Sequence, residues 1–303
     1  MQQRHFAFAT VRASSVAALT AALLATLSAC GGGGNSTGGT PTATIASASV
    51  FSPHYGQTAT ITVNGTGLDS TLAVTAPYCK NITLANTSTA TTATYTCTPS
   101  GAYSGNVTFK SNGTSIGPAT TFTVPQPQVT LQVSNGAGVA GNIVINLVGD
   151  KAPITVDNFL AYVNANPSFY NSLIFHRTSA SNHIIQGGGY TASSGGTLPA
   201  APKTPLFAPI ALETTGGSNV AWSVGMARTA DPNSATSQFY INTADNTGFD
   251  THYAVFGNIT TSSQAVATAI ANAPCVAMTG AAQGDDSCVP VPNVVITGAT
   301  QTQ

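Results

Sequence analysis

Between residues 44 and 124 the chain alternates apolar and polar positions in the short runs "ATITVNGTGL", "TLAVTAPY", "TATYTCT", "GNVTFKSNG" and "TTFTV". Thr and Val recur at period two, and Asn-Gly, Gly-x-Gly and Pro interrupt them, as in half-buried antiparallel strands joined by tight turns. About seven such strands in roughly 80 residues predict a small β-sandwich. At 125–128 "PQPQ" breaks the alternation and favours extended backbone, so it reads as a short stiff linker and a domain boundary. Beyond it "GNIVINLVG" alternates again. The stretch Pro153 to Ala165 then changes to helical spacing, with Val156, Phe159, Leu160 and Val163 at i, i+3, i+4 and i+7. Pro153 and Thr155 mark the helix start. A second helix is expected from Ser262 to Ala273, with Thr261 and Gln264 at capping-box spacing. Two helices framing a largely β middle predict an antiparallel barrel closed by helices. The fold class is therefore mainly β, a sandwich followed by a barrel.

Composition narrows the function. Charged residues are only 6% of the 303 and hydrophobic residues 42%, which excludes a disordered polyelectrolyte. With a formal charge of −1 and no basic run away from the N-terminus, attraction to a phosphate backbone has no source, and no nucleic-acid partner is expected. The length suits two domains of roughly 150 residues, each able to bury its own core.

The N-terminus reads as a targeting segment. Arg4 and Arg12 precede an apolar run from Val16 to Leu27, shorter than the roughly 20 residues of a membrane span. Leu27-Ser28-Ala29-Cys30 resembles the bacterial lipobox, whose cysteine is acylated and begins the mature chain. An ordinary signal peptide with an incidental cysteine is the alternative. Residues 1–29 are thus expected to be a lipoprotein signal peptide and 30–43 a Gly-rich tether off the membrane. Gly31 is not the Asp of inner-membrane retention, so the resemblance implies an outer-membrane lipoprotein facing the periplasm or the surface. Of five cysteines, setting Cys30 aside leaves Cys79, Cys97, Cys275 and Cys288. They form two local pairs, Cys79 with Cys97 and Cys275 with Cys288. Each disulfide would contribute roughly 2 to 4 kcal/mol. A four-cysteine metal site is the alternative, but the spacings lack close C-x-x-C pairs and export favours disulfides.

Two resemblances add to this reading. "SVFSPHYGQTATITVNGTGL" resembles the opening of immunoglobulin-like domains of the TIG type, which makes 44–124 an immunoglobulin-like sandwich. "APITVDNFLAYV", "FYNSLIFHR", "IIQGGGY" and "SVGMARTADPNSATSQFYIN", followed by "YAVFGNI", resemble the cyclophilin-type peptidyl-prolyl cis-trans isomerases in the family's own order. The likeness covers 129–300 and implies an eight-stranded antiparallel β-barrel with a helix capping each end.

The implied chemistry follows from the amide bond. Resonance gives an X-Pro bond a barrier near 18–20 kcal/mol, and a catalyst must favour the twisted bond over both planar forms. As the bond twists, the prolyl nitrogen regains a lone pair that accepts a hydrogen bond. A guanidinium is the natural donor, being always charged and rigidly forked. No nucleophile, metal or cofactor is needed. The resemblance gives this role to Arg177; a surface or ion-paired arginine at a strand end is the alternative. It makes Gln186 and Gln238 orient the substrate carbonyls and Arg177, and Met226, Tyr240 and Phe249 line the slot for the proline ring. Ala227 and Arg228 would meet the residue before proline through backbone contacts. His176, His183, Ile184 and Tyr253 complete the substrate-binding set. Core packing is the alternative for Met226, Tyr240 and Phe249.

Several readings are set aside. The reaction moves no proton to carbon or oxygen, so His176 is expected to make a structural hydrogen bond behind Arg177 rather than act as a base. Gly187 to Gly189 lack the Lys-Ser/Thr of a phosphate loop and read as a tight turn, and no G-x-S-x-G elbow occurs. The chain also departs from the family. The run from "FHR" to the Gln-Gly is one residue longer, with His183 where the family has Phe. Gly248 stands where the family has Trp or Phe, and Tyr253 where many eukaryotic members have His. Two lost aromatic contacts would weaken substrate binding by roughly 1 to 3 kcal/mol. The expected protein is a monomeric, lipid-anchored isomerase acting on proline-containing polypeptides during folding of exported proteins. The alternatives are a catalytically weak proline-binding module or chaperone, and a structural lipoprotein whose sandwich binds the partner.

Overall fold

In the computed structural model the described residues are 43–85, 88–100, 104–192, 202–278 and 286–303. The signal peptide, Cys30 and nearly all of the tether expected from the sequence lie outside them. Eight strands come first: β1 Thr44–Phe51, β2 Ala59–Thr66, β3 Leu72–Thr75, β4 Cys79–Leu84, β5 Thr92–Pro99, β6 Ser104–Ser111, β7 Thr114–Ser115 and β8 Thr120–Thr123. They make two antiparallel sheets, one ordered β1-β2-β5-β4 and the other β3-β6-β7 with β8 also paired to β6. Ala59, Ile61 and Val63 of β2 and Ala93, Tyr95 and Cys97 of β5 are buried, so the period-two sequence pattern is the burial pattern. The Tyr95 hydroxyl donates to the Leu72 carbonyl at 2.9 Å and ties one sheet to the other. Cys79 and Cys97 are disulfide-bonded across neighbouring strands.

The remaining elements are β9 Gln128–Ser134, β10 Ala140–Leu147, α1 Pro153–Val163, β11 Leu173–Ser179, β12 Ile184–Thr191, β13 Ser223–Met226, β14 Phe239–Asn242, β15 Val255–Ile259, α2 Thr261–Ala271, β16 Cys275–Ala277, β17 Cys288–Pro290 and β18 Val294–Gln301. Pairing runs β12-β14-β13-β15-β10-β9-β18-β11, and β11 returns to β12. Eight antiparallel strands therefore close into a barrel, which leaves no exposed edge in the closed sheet. The β16–β17 hairpin attaches to β11 at Thr178 and Cys288, and Cys275 and Cys288 are disulfide-bonded.

Residues 125–128 lead directly into β9, and their backbone is engaged: the Leu147 N–H donates to the Pro127 carbonyl at 2.8 Å. The first β region also touches the barrel. Lys80 pairs with Asp157 of α1 at 2.8 Å, and the Gln301 amide donates to the Tyr55 carbonyl at 2.7 Å.

Helix α1 begins at the proline predicted for it, where a missing N–H is harmless. Its cap comes from far along the chain. The Glu213 carboxylate accepts the Ile154 N–H at 3.1 Å, the Thr155 N–H at 2.7 Å and the Thr155 hydroxyl at 2.7 Å. Negative charge at this end also suits the helix dipole. The apolar face lays Phe159 against Tyr170, Phe239 and Phe256, at ring separations of 5.0 to 5.7 Å. Helix α2 starts one residue earlier than its spacing suggests, and the Thr261–Gln264 box does not form. Thr260 is the N-cap instead, and the buried Ser263 hydroxyl accepts the Val144 N–H of β10 at 2.8 Å.

Glu213→Ala should cost about 1 to 2 kcal/mol in urea denaturation by uncapping α1, and Glu213→Gln less, because an oxygen acceptor remains.

Candidate active site

Across the β11–β12 ladder Phe175 faces Gly187 and Arg177 faces Gln186, so His176 is an extra residue on β11. This is a β-bulge, a device that re-aims the neighbouring side chain. The Arg177 Nε donates to Ser287 Oγ at 2.7 Å, and Nη1 donates to Gln186 Oε1 at 3.3 Å. Gln186 in turn donates to Gln238 Oε1 at 3.0 Å. Gly189 makes room for that relay, since a Cβ there would lie 2.5 Å from the Gln238 amide carbon.

Arg177 lines a groove of about 290 Å³ together with Asn182, Ile184, Gln186, Ala227, Arg228, Tyr240, Phe249 and Tyr253. The three aromatic rings stand 5.2 to 6.3 Å apart, and Tyr240 meets the other two edge-on. The Tyr240 hydroxyl donates to Asn219 Oδ1 at 2.7 Å. Burial, reinforced by nearby Tyr253 and Asp250 against Arg228, holds this phenol well above its ordinary range, so it stays a neutral donor. Gly225 faces Tyr240 across the ladder, and a Cβ there would fall 2.2 Å from the ring. The Arg228 guanidinium lies over Tyr253, 4.9 Å from the ring centre, and donates to the His252 and Thr229 carbonyls at 2.7 and 2.8 Å. The Ala227 N–H donates to the Gln238 carbonyl at 2.9 Å, so contact from Ala227 to a bound peptide must come from its own carbonyl. A polar hollow of about 250 Å³ adjoins and shares Gln186, Ala227 and Arg228; Thr229, Ser234, Thr236 and Gln238 complete it.

Four residues expected at the groove stand elsewhere. Gln238 lines the adjoining hollow. Met226 is 1% exposed and belongs to the hydrophobic core, so packing wins at this position. His183 is exposed, with φ 49°, and its backbone closes a turn: its N–H donates to the Ala180 carbonyl at 3.3 Å and its carbonyl accepts the Thr243 N–H at 2.8 Å. That turn absorbs the additional residue, and Asn182 and Ile184 on either side of it face the groove. His176 is buried with its ring 4.5 Å from Tyr190, and among the described residues its Nδ1 has no hydrogen-bond partner. Burial lowers its pKa to about 4; polar contacts to the Ile174 backbone and the Gln238 side chain oppose this, and the Arg177 charge adds to it.

Sequence reasoning missed the segment before Cys288. Asp286 accepts from the Ser179 hydroxyl at 2.6 Å, the Ser181 N–H at 2.6 Å and the Ser181 hydroxyl at 2.9 Å. These bonds, the Ser179 hydroxyl first, hold its carboxyl down at about 2. The paired cysteines were the available signal, because they showed that this segment is stapled but not what it touches.

Sequence comparison identifies the class to which this closed eight-stranded barrel belongs. The family described as cyclophilin type peptidyl-prolyl cis-trans isomerase/CLD matches residues 129–301. The chain belongs to this family. It is 44% identical over 125 residues to a peptidyl-prolyl cis-trans isomerase of Acinetobacter baylyi, covering 39% of this chain and 61% of that protein. It is 42% identical over 170 residues to one of Streptomyces antibioticus, covering 53% and 92%. It is 43% identical over 107 residues to peptidyl-prolyl cis-trans isomerase B of Escherichia coli, covering 35% and 59%. The chain thus spans about three fifths of the Acinetobacter and Escherichia proteins.

His176 makes stability depend on pH. Its folded pKa of about 4 lies below the unfolded value of 6.5, so its contribution is complete above pH 6.5 and is lost as pH falls through 4. Denaturation at a series of pH values should show a loss of roughly 3 kcal/mol across that window, and His176→Gln should flatten the slope.

Proposed function

We propose that the barrel catalyses cis-trans isomerisation of X-Pro bonds in polypeptides, with Arg177 hydrogen-bonding the prolyl nitrogen as the amide twists. One observation carries this reading: the Arg177 fork is held on two of its nitrogens, by Ser287 and Gln186, in a groove walled by Tyr240, Phe249 and Tyr253. A donor fixed in advance stabilises the twisted bond without reorganising during reaction. The rings and Ile184 offer an apolar seat for the proline, while Gln186 and the Ala227 carbonyl offer polar partners for the flanking backbone.

The clients we propose are exported proteins. Two disulfides suit an oxidising compartment, and the lipobox-like Cys30 and Gly-rich segment suit a membrane-tethered chain. In this reading the protein is an outer-membrane lipoprotein, monomeric, with residues 44–124 as an immunoglobulin-like module between the membrane and the isomerase. The proline-binding module without useful turnover is the second reading. It is favoured by Gly248 and by the exposed His183, which leave the groove two aromatic walls short of the family pattern.

Arg177→Ala should lower kcat/KM for a proline tetrapeptide about a hundredfold, followed as cis-to-trans relaxation, while peptide affinity changes little. Equal slow relaxation with wild type and variant sinks the isomerase reading and leaves the binding module. Among the described residues nothing lies within 4 Å of a Cβ at Gly248, so a large side chain fits there. Gly248→Trp should tighten binding of the same peptide about threefold to tenfold by restoring an aromatic wall, read by titration calorimetry.

A further inference from the structure

We infer that Ser287 is a positioning residue that sets the direction of the Arg177 guanidinium, and that the Cys275–Cys288 hairpin exists to hold Ser287 there. The inference rests on the isomerase reading for its consequence in turnover, but the placement stands on geometry alone.

A guanidinium on a long flexible stem is useful as a donor only when its plane is fixed. One acceptor fixes a direction, and two acceptors on different nitrogens fix the plane. Gln186, on β12, takes Nη1 at 3.3 Å, and Ser287, just before β17, takes Nε at 2.7 Å. These two strands pair with β11, so Arg177 is held from both neighbours of its own strand. Holding Nε and Nη1 determines where Nη2 points. The shorter bond is the one to Ser287, which is 1% exposed and therefore shielded from competing water.

The segment is registered on β11 residue by residue. Asp286 binds Ser179 and Ser181, Ser287 binds Arg177, and Cys288 pairs with Thr178, whose hydroxyl lies 3.1 Å from the Cys288 sulfur. Slippage by one residue would move a cysteine or a carboxylate to the guanidinium. The disulfide to Cys275 and the Asp286 clasp oppose that slippage from either side of Ser287. Asp286 also anchors the turn that leads to the groove residues Asn182 and Ile184. One short segment thus bears on both the cation and part of the groove lining.

The test uses the full chain and two independent readouts. The first is the kcat and KM split for a proline tetrapeptide. Ser287→Ala should lower kcat about tenfold with KM within about twofold, as expected for a lost hydrogen bond to a charged group. Asp286→Asn should lower kcat by a smaller factor, and Ser287→Thr, which keeps the hydroxyl, should recover activity relative to Ser287→Ala. The second readout is hydrogen exchange at the Arg177 Nε–H, followed by nitrogen-15 NMR. The chain has four arginines, so the signal is assignable by Arg177→Lys. Exchange should be slow in the wild type and about tenfold faster in Ser287→Ala. Equal exchange in the two proteins overturns the inference, as does a fall in thermal stability that accounts for the whole loss of turnover. If the wild type shows no turnover, the isomerase reading fails, and the exchange measurement alone decides whether Ser287 holds Arg177.

Discussion

Closure of the barrel at β11 is the constraint on which the site depends. This strand pairs with β12 along one edge and with β18 and β17 along the other, so it completes the cylinder and carries the attached hairpin. A regular strand there would leave its side chains in simple alternation. The bulge at His176 breaks the alternation beside Arg177 and sends an imidazole into the protein against Tyr190. Burying a histidine that must stay neutral costs stability at low pH, and the same kink places a guanidinium in the groove. Structure and chemistry meet in one irregular step of a ladder.

Scarcity of charge makes the use of each cation legible. The arginines of the described chain, Arg177 and Arg228, line the same groove but are held differently. Arg228 donates to the carbonyls of His252, Thr229 and Ala230 and covers Tyr253, so it braces loops and shapes the wall. Arg177 donates to a serine and a glutamine, neutral acceptors that orient the guanidinium. Neighbours of that kind suit the role proposed for Arg177, in which the partner, a twisted prolyl nitrogen, would exist only transiently.

Local signals in the sequence were faithful where the interactions were local. Pro153 begins α1, the Thr and Val alternation marks the strands, and the cysteines pair within short loops. Arg177, Gln186, Tyr240 and Phe249 meet in one groove. What escaped depends on distant contacts. Glu213 caps a helix about 60 residues upstream, and Ser287 reaches Arg177 across 110 residues. No periodicity records such pairs. Met226 was ambiguous for a different reason: apolar character suits a slot and a core equally well, and only burial separates them. His183 turned outward because the added residue needed a left-handed turn, a backbone demand that composition does not announce.

If Arg177 acts as proposed, a directed guanidinium fork, rather than positive charge alone, lowers the barrier. The most direct measurement is the cis-trans exchange rate of a proline peptide while bound, taken by NMR exchange spectroscopy on the wild type and on Arg177→Lys. The variant should bind the peptide and keep the charge, yet exchange it at least about tenfold more slowly, because an ammonium cannot reproduce the fork held by Ser287 and Gln186. Bound-state exchange as fast in the lysine variant as in the wild type would rule out a directed fork as the source of catalysis.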